Sequence, residues 1–64
     1  MKKRNILLID DSVLMRRLIS DIIESDDRFQ VIGTAINGIE GLNILKENSN
    51  VDAVLLDINM PRMN

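Results

Sequence analysis

Carboxylates stand directly after two of the apolar runs in this chain, and acidic residues in such positions can bind a cation. Asp10 and Asp11 follow the run ILLI, and Asp57 follows the run AVLL. If the fold brings these positions together, their negative charges repel one another unless a hard cation neutralises them. Mg²⁺ fits, because it takes one or two carboxylates and keeps several waters. The pattern therefore predicts a magnesium site at these three residues.

Ordinary structural roles explain each of these carboxylates taken singly. An Asp between a strand and a helix commonly caps the helix, and for Asp11 alone the cap is the favoured interpretation, with Ser12 as the other candidate. Asp57 alone fits a strand-end turn as well as it fits a functional site. The combination of all three positions is more specific than any one of them.

Composition narrows the kinds of site and partner that the chain can have. The sequence has no Cys and no His, which excludes disulfides, thiolate metal sites and the commonest zinc ligand. A net charge of −2 argues against a nucleic-acid binder, and the basic start Lys2-Lys3-Arg4 is too short to reverse that. The apolar run after it is too short for a signal peptide or a membrane span, so we predict a cytoplasmic chain.

Hydrophobic patterning predicts alternating strands and helices in one small domain. Unbroken aliphatic runs are typical of strands covered on both faces, and apolar residues that recur every three or four positions are typical of helices. Helical crossovers make the strands parallel, and if the winding reverses after the first crossover the order is 2-1-3. We predict strands over residues 5–10, 29–35 and 51–57, and helices over residues 12–25 and 38–47.

The two predicted helices differ in their apolar faces. The apolar set of the first fills about half of its circumference, which is wider than one buried face needs. Arg16 and Arg17 lie on the other half, which we expect to be solvated. Gly41 within the second helix indicates either close packing or a short, weak helix. The first apolar set includes Leu14, Leu18 and Ile22. The predicted buried face of the second helix consists of Ile39, Leu42 and Leu45.

The segments ILLIDDSVLMRRLISDIIES, VIGTAINGIEGL and DAVLLDINMPRMN resemble the first half of a response-regulator receiver domain. The paired Asp after strand one and the D-x-x-M-P turn after strand three carry the resemblance, which covers residues 1–64. Within the family, the chain is most similar to the receiver of the chemotaxis protein-glutamate methylesterase. The resemblance implies a truncated flavodoxin-like α/β fold, βαβαβ, with three parallel strands in the order 2-1-3 and two helices.

The resemblance also implies roles at matching positions. Asp57 matches the residue that accepts a phosphoryl group from a histidine kinase. Asp10 and Asp11 match the acidic pair that organises Mg²⁺, with Asp11 as the direct ligand of the two. The backbone carbonyl of Asn59 matches a further metal ligand, and the D-x-x-M-P turn matches the segment that closes the pocket.

Several parts of the family pattern have no counterpart in this sequence. The family binds phosphoryl oxygens with a hydroxyl residue on strand four and a lysine on strand five, and Lys2, Lys3 and Lys46 lie in the wrong elements for that lysine. We therefore expect half of a receiver domain, with weak Mg²⁺ binding and poor phosphoryl transfer. The catalytic domain of the methylesterase has no counterpart either, so we predict no enzymatic activity.

Three functions remain open: a phosphoacceptor of two-component signalling, an interaction module with a vestigial acidic site, and a magnesium-dependent phosphohydrolase. The third ranks last, because such enzymes commonly carry an acidic residue two positions after the nucleophile, where this chain has Asn59. The third strand is predicted to be an apolar sheet edge. We therefore also expect a homo-oligomer, most simply a two-fold dimer joined along that strand.

Overall fold

A computed structural model describes residues 2–57 as a three-stranded sheet with two helices. Both strand pairings are parallel and the order is β2-β1-β3, which confirms the predicted fold. The bounds of β2 and α2 are as predicted, whereas β3 is shorter than predicted at both ends. The elements are β1 (Arg4–Ile9), α1 (Val13–Glu24), β2 (Phe29–Ala35), α2 (Gly38–Glu47) and β3 (Ala53–Leu56).

β1 is the buried centre of the sheet, because it has a strand on each side and helical cover. Its aliphatic run is buried throughout, and the side chains of Leu7 and Leu8 are almost fully enclosed. The core cluster joins Leu7 and Ile9 of β1 to Ala35 at the end of β2. The unbroken apolar run therefore marks a strand covered on both faces, as predicted.

Polar side chains fix the start of each helix. The Ser12 hydroxyl accepts the N–H of Met15 across 3.2 Å, so Ser12 is the N-cap of α1 and the favoured interpretation of Asp11 as the cap is wrong. At α2, the side chain of Asn37 accepts the N–H of Glu40 across 2.8 Å. The Glu40 carboxylate in turn accepts the N–H of Ile36, the residue before the cap, across 3.1 Å, so the contact resembles a capping box displaced by one residue.

The predicted buried face of α2 is wrong in two of its three positions. Ile39 and Leu42 are 76% and 59% exposed, and Leu45 is half-buried. The helix instead packs through Gly41, which is buried, and through the half-buried Ile44. A β-carbon at Gly41 would overlap the side chain of a β1 residue. The buried face differs from the prediction because the backbone of α2 lies close to the sheet at Gly41. Close packing was one of the two alternatives that this glycine indicated.

The opposite side of the sheet is less covered. α1 has no buried residue, and Leu14 and Ile22 on it are 67% and 68% exposed. β3 is an edge strand, as predicted, with the side chains of Val54, Leu55 and Leu56 between 42% and 45% exposed. Dimerisation along β3 stays a prediction. Neither helix between residues 2 and 57 is long and apolar enough to cross a membrane.

Candidate metal centre

Backbone hydrogen bonds place two carboxylates at neighbouring strand ends. The N–H of Asp10 donates to the carbonyl of Ala35 in β2 across 2.9 Å, and the N–H of Asp57 donates to the carbonyl of Ile9 in β1 across 3.0 Å. The last paired residues of β1 and β3 are Ile9 and Leu56. Asp10 and Asp57 each come one residue later. The parallel register therefore brings both to the same edge of the sheet.

Three carboxylates converge at this edge. Asp10, Asp11 and Asp57 each offer an oxygen atom, and these atoms lie within 4.8 Å of one another. Asp10 is only 3% exposed, Asp57 is half-buried and Asp11 is exposed, so the cluster runs from the core to solvent. The structure thus brings together three of the four predicted metal-site residues. The fourth, Asn59, lies outside the described residues, as does the turn that follows it.

The electrostatics of this cluster favour a cation. Two unit charges about 5 Å apart repel by about 1 kcal/mol in water and by about 3 kcal/mol at the effective dielectric constant of a protein surface. One oxygen of Asp10 is already engaged, because it accepts the N–H of Ser12 across 2.9 Å. Carboxylate oxygens are hard donors of the kind that Mg²⁺ and Ca²⁺ prefer. The residues present therefore fit a hard divalent cation.

An apolar cavity adjoins the carboxylates. It has a volume of about 340 Å³ and lies between α1 and β3, where Met15, Ile19 and Leu55 form part of its wall. Asp10 and Asp57 line the same cavity. An apolar wall lowers the local dielectric constant, so charges placed beside it interact more strongly than they do in water.

Arg16 contacts the site, which the sequence did not indicate. Its Nη1 donates to the backbone carbonyl of Asp10 across 2.8 Å, and the residue is half-buried. The expectation of a solvated side chain is therefore wrong for Arg16. It is right for Arg17, whose side chain is 81% exposed. A helical wheel could not have found the difference, because it does not show how far a long side chain reaches back towards the preceding strand.

The chain is similar in sequence to one known family and to proteins that share one name. Residues 6–64 match the family described as the response regulator receiver domain. The chain is 56% identical over 64 residues to a protein-glutamate methylesterase/protein-glutamine glutaminase of Clostridium acetobutylicum. It is 46% identical over 63 residues to the protein of the same name in Oceanobacillus iheyensis. These matches take in 100% and 98% of this chain but 18% of each relative, so the chain spans less than a fifth of their length.

A solved structure is similar over the whole chain. A chain in the crystal structure of the P1 domain of CheA3 in complex with CheY6 from R. sphaeroides matches with a TM-score of 0.89 and 39% identity. The match covers 100% of this chain and 50% of that one. Together with the relatives, it confirms the predicted resemblance and the truncated flavodoxin-like fold.

Proposed function

The chain belongs to the response regulator receiver domain family, and from that premise we propose that it serves two-component chemotaxis signalling with Asp57 as the phosphoacceptor. The convergence of Asp10, Asp11 and Asp57 within 4.8 Å carries the proposal. A purely structural explanation fits less well, because Ser12 caps α1 and leaves Asp11 without a capping role. The parallel register supports Asp57 as the acceptor, since it sets that carboxylate beside the acidic pair.

The proposed metal ligands are the three carboxylates, with the backbone carbonyl of Asn59 as a further ligand. Asp11 is exposed and can bind directly, whereas Asp10 is buried and already accepts the N–H of Ser12. Asp10 therefore offers the cation its other oxygen, and Asp11 is the more direct ligand of the two. When bound, Mg²⁺ supplies positive charge that offsets the repulsion between the carboxylates and the oxygens of an incoming phosphoryl group.

The proposed reaction is a phosphoryl transfer from a histidine kinase. An oxygen of the Asp57 carboxylate forms a bond to phosphorus while the bond from phosphorus to the donor imidazole nitrogen breaks. That nitrogen keeps the electron pair and takes a proton from water, and the chain carries an aspartyl phosphate. A protein phosphodonor is consistent with the similar solved structure, in which CheY6 is bound to the P1 domain of CheA3.

We place the chain in the cytoplasm and assign it no hydrolytic activity of its own. The curated relatives are named as esterases and glutaminases, but this chain matches only 18% of their length. Their activity therefore stays a property of the longer proteins. A vestigial acidic site remains the competing explanation, and phosphorylation chemistry separates the two.

Labelling with acetyl phosphate tests this function. We expect a label that requires Mg²⁺, stays well below one per chain, disappears in Asp57→Asn and persists in Asp52→Asn. Asp52 is a matched control because it is also an Asp next to β3: Asp52 directly precedes the strand, and Asp57 directly follows it. A label that forms equally well without Mg²⁺, or that persists in Asp57→Asn, would contradict the proposal. Absence of any label in a chain that binds Mg²⁺ would favour the vestigial site, and steady release of phosphate would indicate a phosphohydrolase.

A further inference from the structure

We propose that Arg16 is a positioning residue of the metal centre. Its guanidinium holds the peptide between Asp10 and Asp11 in the orientation that lets both carboxylates reach a common cation. The geometry is the 2.8 Å bond from Arg16 Nη1 to the backbone carbonyl of Asp10. The consequence for metal binding rests on the proposed function, whereas the consequence for the backbone does not.

The Arg16 bond has a different role from the other two bonds of Asp10. The N–H of Asp10 donates to Ala35, which extends the pairing of β1 with β2, and its carboxylate accepts the N–H of Ser12 within the loop. The bond from Arg16 ties the loop to the helix. Because the carbonyl of Asp10 and the N–H of Asp11 share one planar peptide unit, fixing the first fixes the second.

Asp11 is the residue that most needs this constraint. It is exposed, so packing does not restrict its carboxylate, whereas Asp10 is buried. A cation that binds Asp11 must otherwise restrict both the backbone and the side chain of that residue, and the entropy lost weakens binding. Arg16 removes the backbone part of this loss before the cation arrives.

The helix allows Arg16 to reach the loop. Its backbone N–H donates to the carbonyl of Ser12 across 2.9 Å, within the first turns of α1. Its side chain then extends back over this turn to the strand end. A guanidinium bond to a carbonyl is charge-assisted and directional, and both properties suit a tether.

Arg16 also carries a positive charge, and this charge acts in the opposite direction on metal affinity. A cation beside the carboxylates reduces their mutual repulsion and competes with Mg²⁺. In water at physiological salt, such charge effects are screened over about 8 Å. The proposal states that the tether outweighs the competition, so loss of Arg16 weakens binding.

Arg17 provides a matched control. It is the next residue, its side chain is 81% exposed, and it pairs loosely with Asp21 at 3.8 Å. Arg17→Met and Arg16→Met remove the same charge from the same turn of α1 and introduce the same side chain. Only Arg16→Met removes the bond to Asp10. The difference between the two variants therefore isolates the tether from net charge and helix propensity.

The test has two readouts in the full chain. In the metal-free state, Arg16→Met should lower the ¹⁵N order parameter of the Asp11 amide, and Arg17→Met should leave it unchanged. In Mg²⁺ titrations followed by amide shifts, the Kd should rise about 3- to 10-fold in Arg16→Met, as for loss of one charge-assisted hydrogen bond that is partly exposed. Arg16→Lys keeps the charge and an N–H donor group, so it should recover part of the loss, and it serves if Arg16→Met does not fold.

Each outcome decides the proposal. Equal effects of Arg16→Met and Arg17→Met, or tighter Mg²⁺ binding in Arg16→Met, would overturn the tether. An unchanged Asp11 order parameter with normal Mg²⁺ affinity would reject the role of Arg16 and leave the proposed function standing. If no variant, wild type included, binds Mg²⁺ while only Arg16→Met loosens Asp11, the proposed function fails and the positioning of the loop by Arg16 holds.

Discussion

The buried polar side chains at the two ends of β1 have opposite surroundings: hydrogen-bond partners at one end and like charges at the other. At the amino end, Asn5 is 6% exposed and its side chain is satisfied by the chain itself. Its Nδ2 donates to the carbonyl of Asn50 across 2.9 Å, and its Oδ1 accepts Nε2 of Gln30 across 2.7 Å. Its backbone N–H donates to the carboxylate of Asp52 across 2.6 Å, while its carbonyl accepts the N–H of Asp52 across 2.8 Å. This end is a closed hydrogen-bond network that joins all three strands or their flanks.

At the carboxyl end, Asp10 is 3% exposed and lies with Asp11 and Asp57 in a cluster of one sign. Such a cluster opposes folding, because ionised carboxylates that lie close together repel. In proteins, arrangements that lower stability, such as like charges placed close together, occur mainly at functional sites. The amino end of β1 therefore stabilises the sheet, whereas the close carboxylates at the carboxyl end are consistent with the proposed cation site.

The largest expected effect is at the amino end. Asn5→Ala removes two side-chain hydrogen bonds of a buried residue and leaves the carbonyl of Asn50 without that donor. We expect the free energy of unfolding to fall by about 2–3 kcal/mol, which is a large loss for a small domain. Urea denaturation followed by circular dichroism measures it. Gln30→Ala, at an exposed partner of the network, should lose less than half as much, and equal losses would show that Asn5 is not its centre.

The same Asp→Asn substitution should change the free energy of unfolding in opposite directions at the two ends of β1. Asp52→Asn weakens the short bond from the Asn5 N–H and should destabilise the metal-free chain by about 1 kcal/mol. Asp11→Asn removes one of the converging charges and should stabilise it by about 0.5 kcal/mol at neutral pH, since Asp11 is exposed and its repulsion is screened. Unfolding curves of both variants in a metal chelator give the answer. A loss of stability in Asp11→Asn would mean that the cluster is not repulsive.

The smallest effect is a pH dependence in the turn at the amino end. Hydrogen bonds from Arg28 to Asp26, first from its side chain and second from its backbone N–H, together lower the pKa of that carboxyl from 3.8 to about 2. Because the folded pKa lies below the unfolded value, the resulting stability is present above about pH 4 and is lost as the pH falls towards 2. Arg28→Met should return the ¹³C titration midpoint of the Asp26 carboxyl most of the way to 3.8. An unchanged midpoint would assign the shift to the backbone alone.

The elements could be predicted from the sequence because their signals are local. The bounds of β2 and α2 follow from the apolar run and from the cap at Asn37. The helical crossovers predicted parallel strands and allowed the order 2-1-3, which the family resemblance then implied, and in that order Asp10 and Asp57 meet. Residue spacing together with the family resemblance therefore predicted the acidic cluster. The ligand roles of its members stay predictions.

The features that the sequence did not predict correctly all depend on tertiary contacts. The buried face of α2 was wrong because hydrophobicity gives no weight to Gly41, whereas the packing of the helix depends on the absence of a side chain there. β3 begins at Ala53, and before it the N–H of Asn5 donates to the Asp52 carboxylate, a side-chain contact that the apolar pattern does not report. The bond from Arg16 to Asp10 joins a helix to the preceding strand end, and no periodicity reports that contact.

Titration with Mg²⁺, observed by amide chemical shifts, tests whether the carboxyl end of β1 is a cation site. The amides of Asp10, Asp11 and Asp57 should shift first, and at ten times the Kd the free energy of unfolding should rise by about 1.4 kcal/mol. Asp57→Asn should weaken or abolish both responses, and Asp52→Asn should preserve them. Shifts spread evenly over the surface, or a response that Asp57→Asn leaves unchanged, would mean that these carboxylates form no cation site.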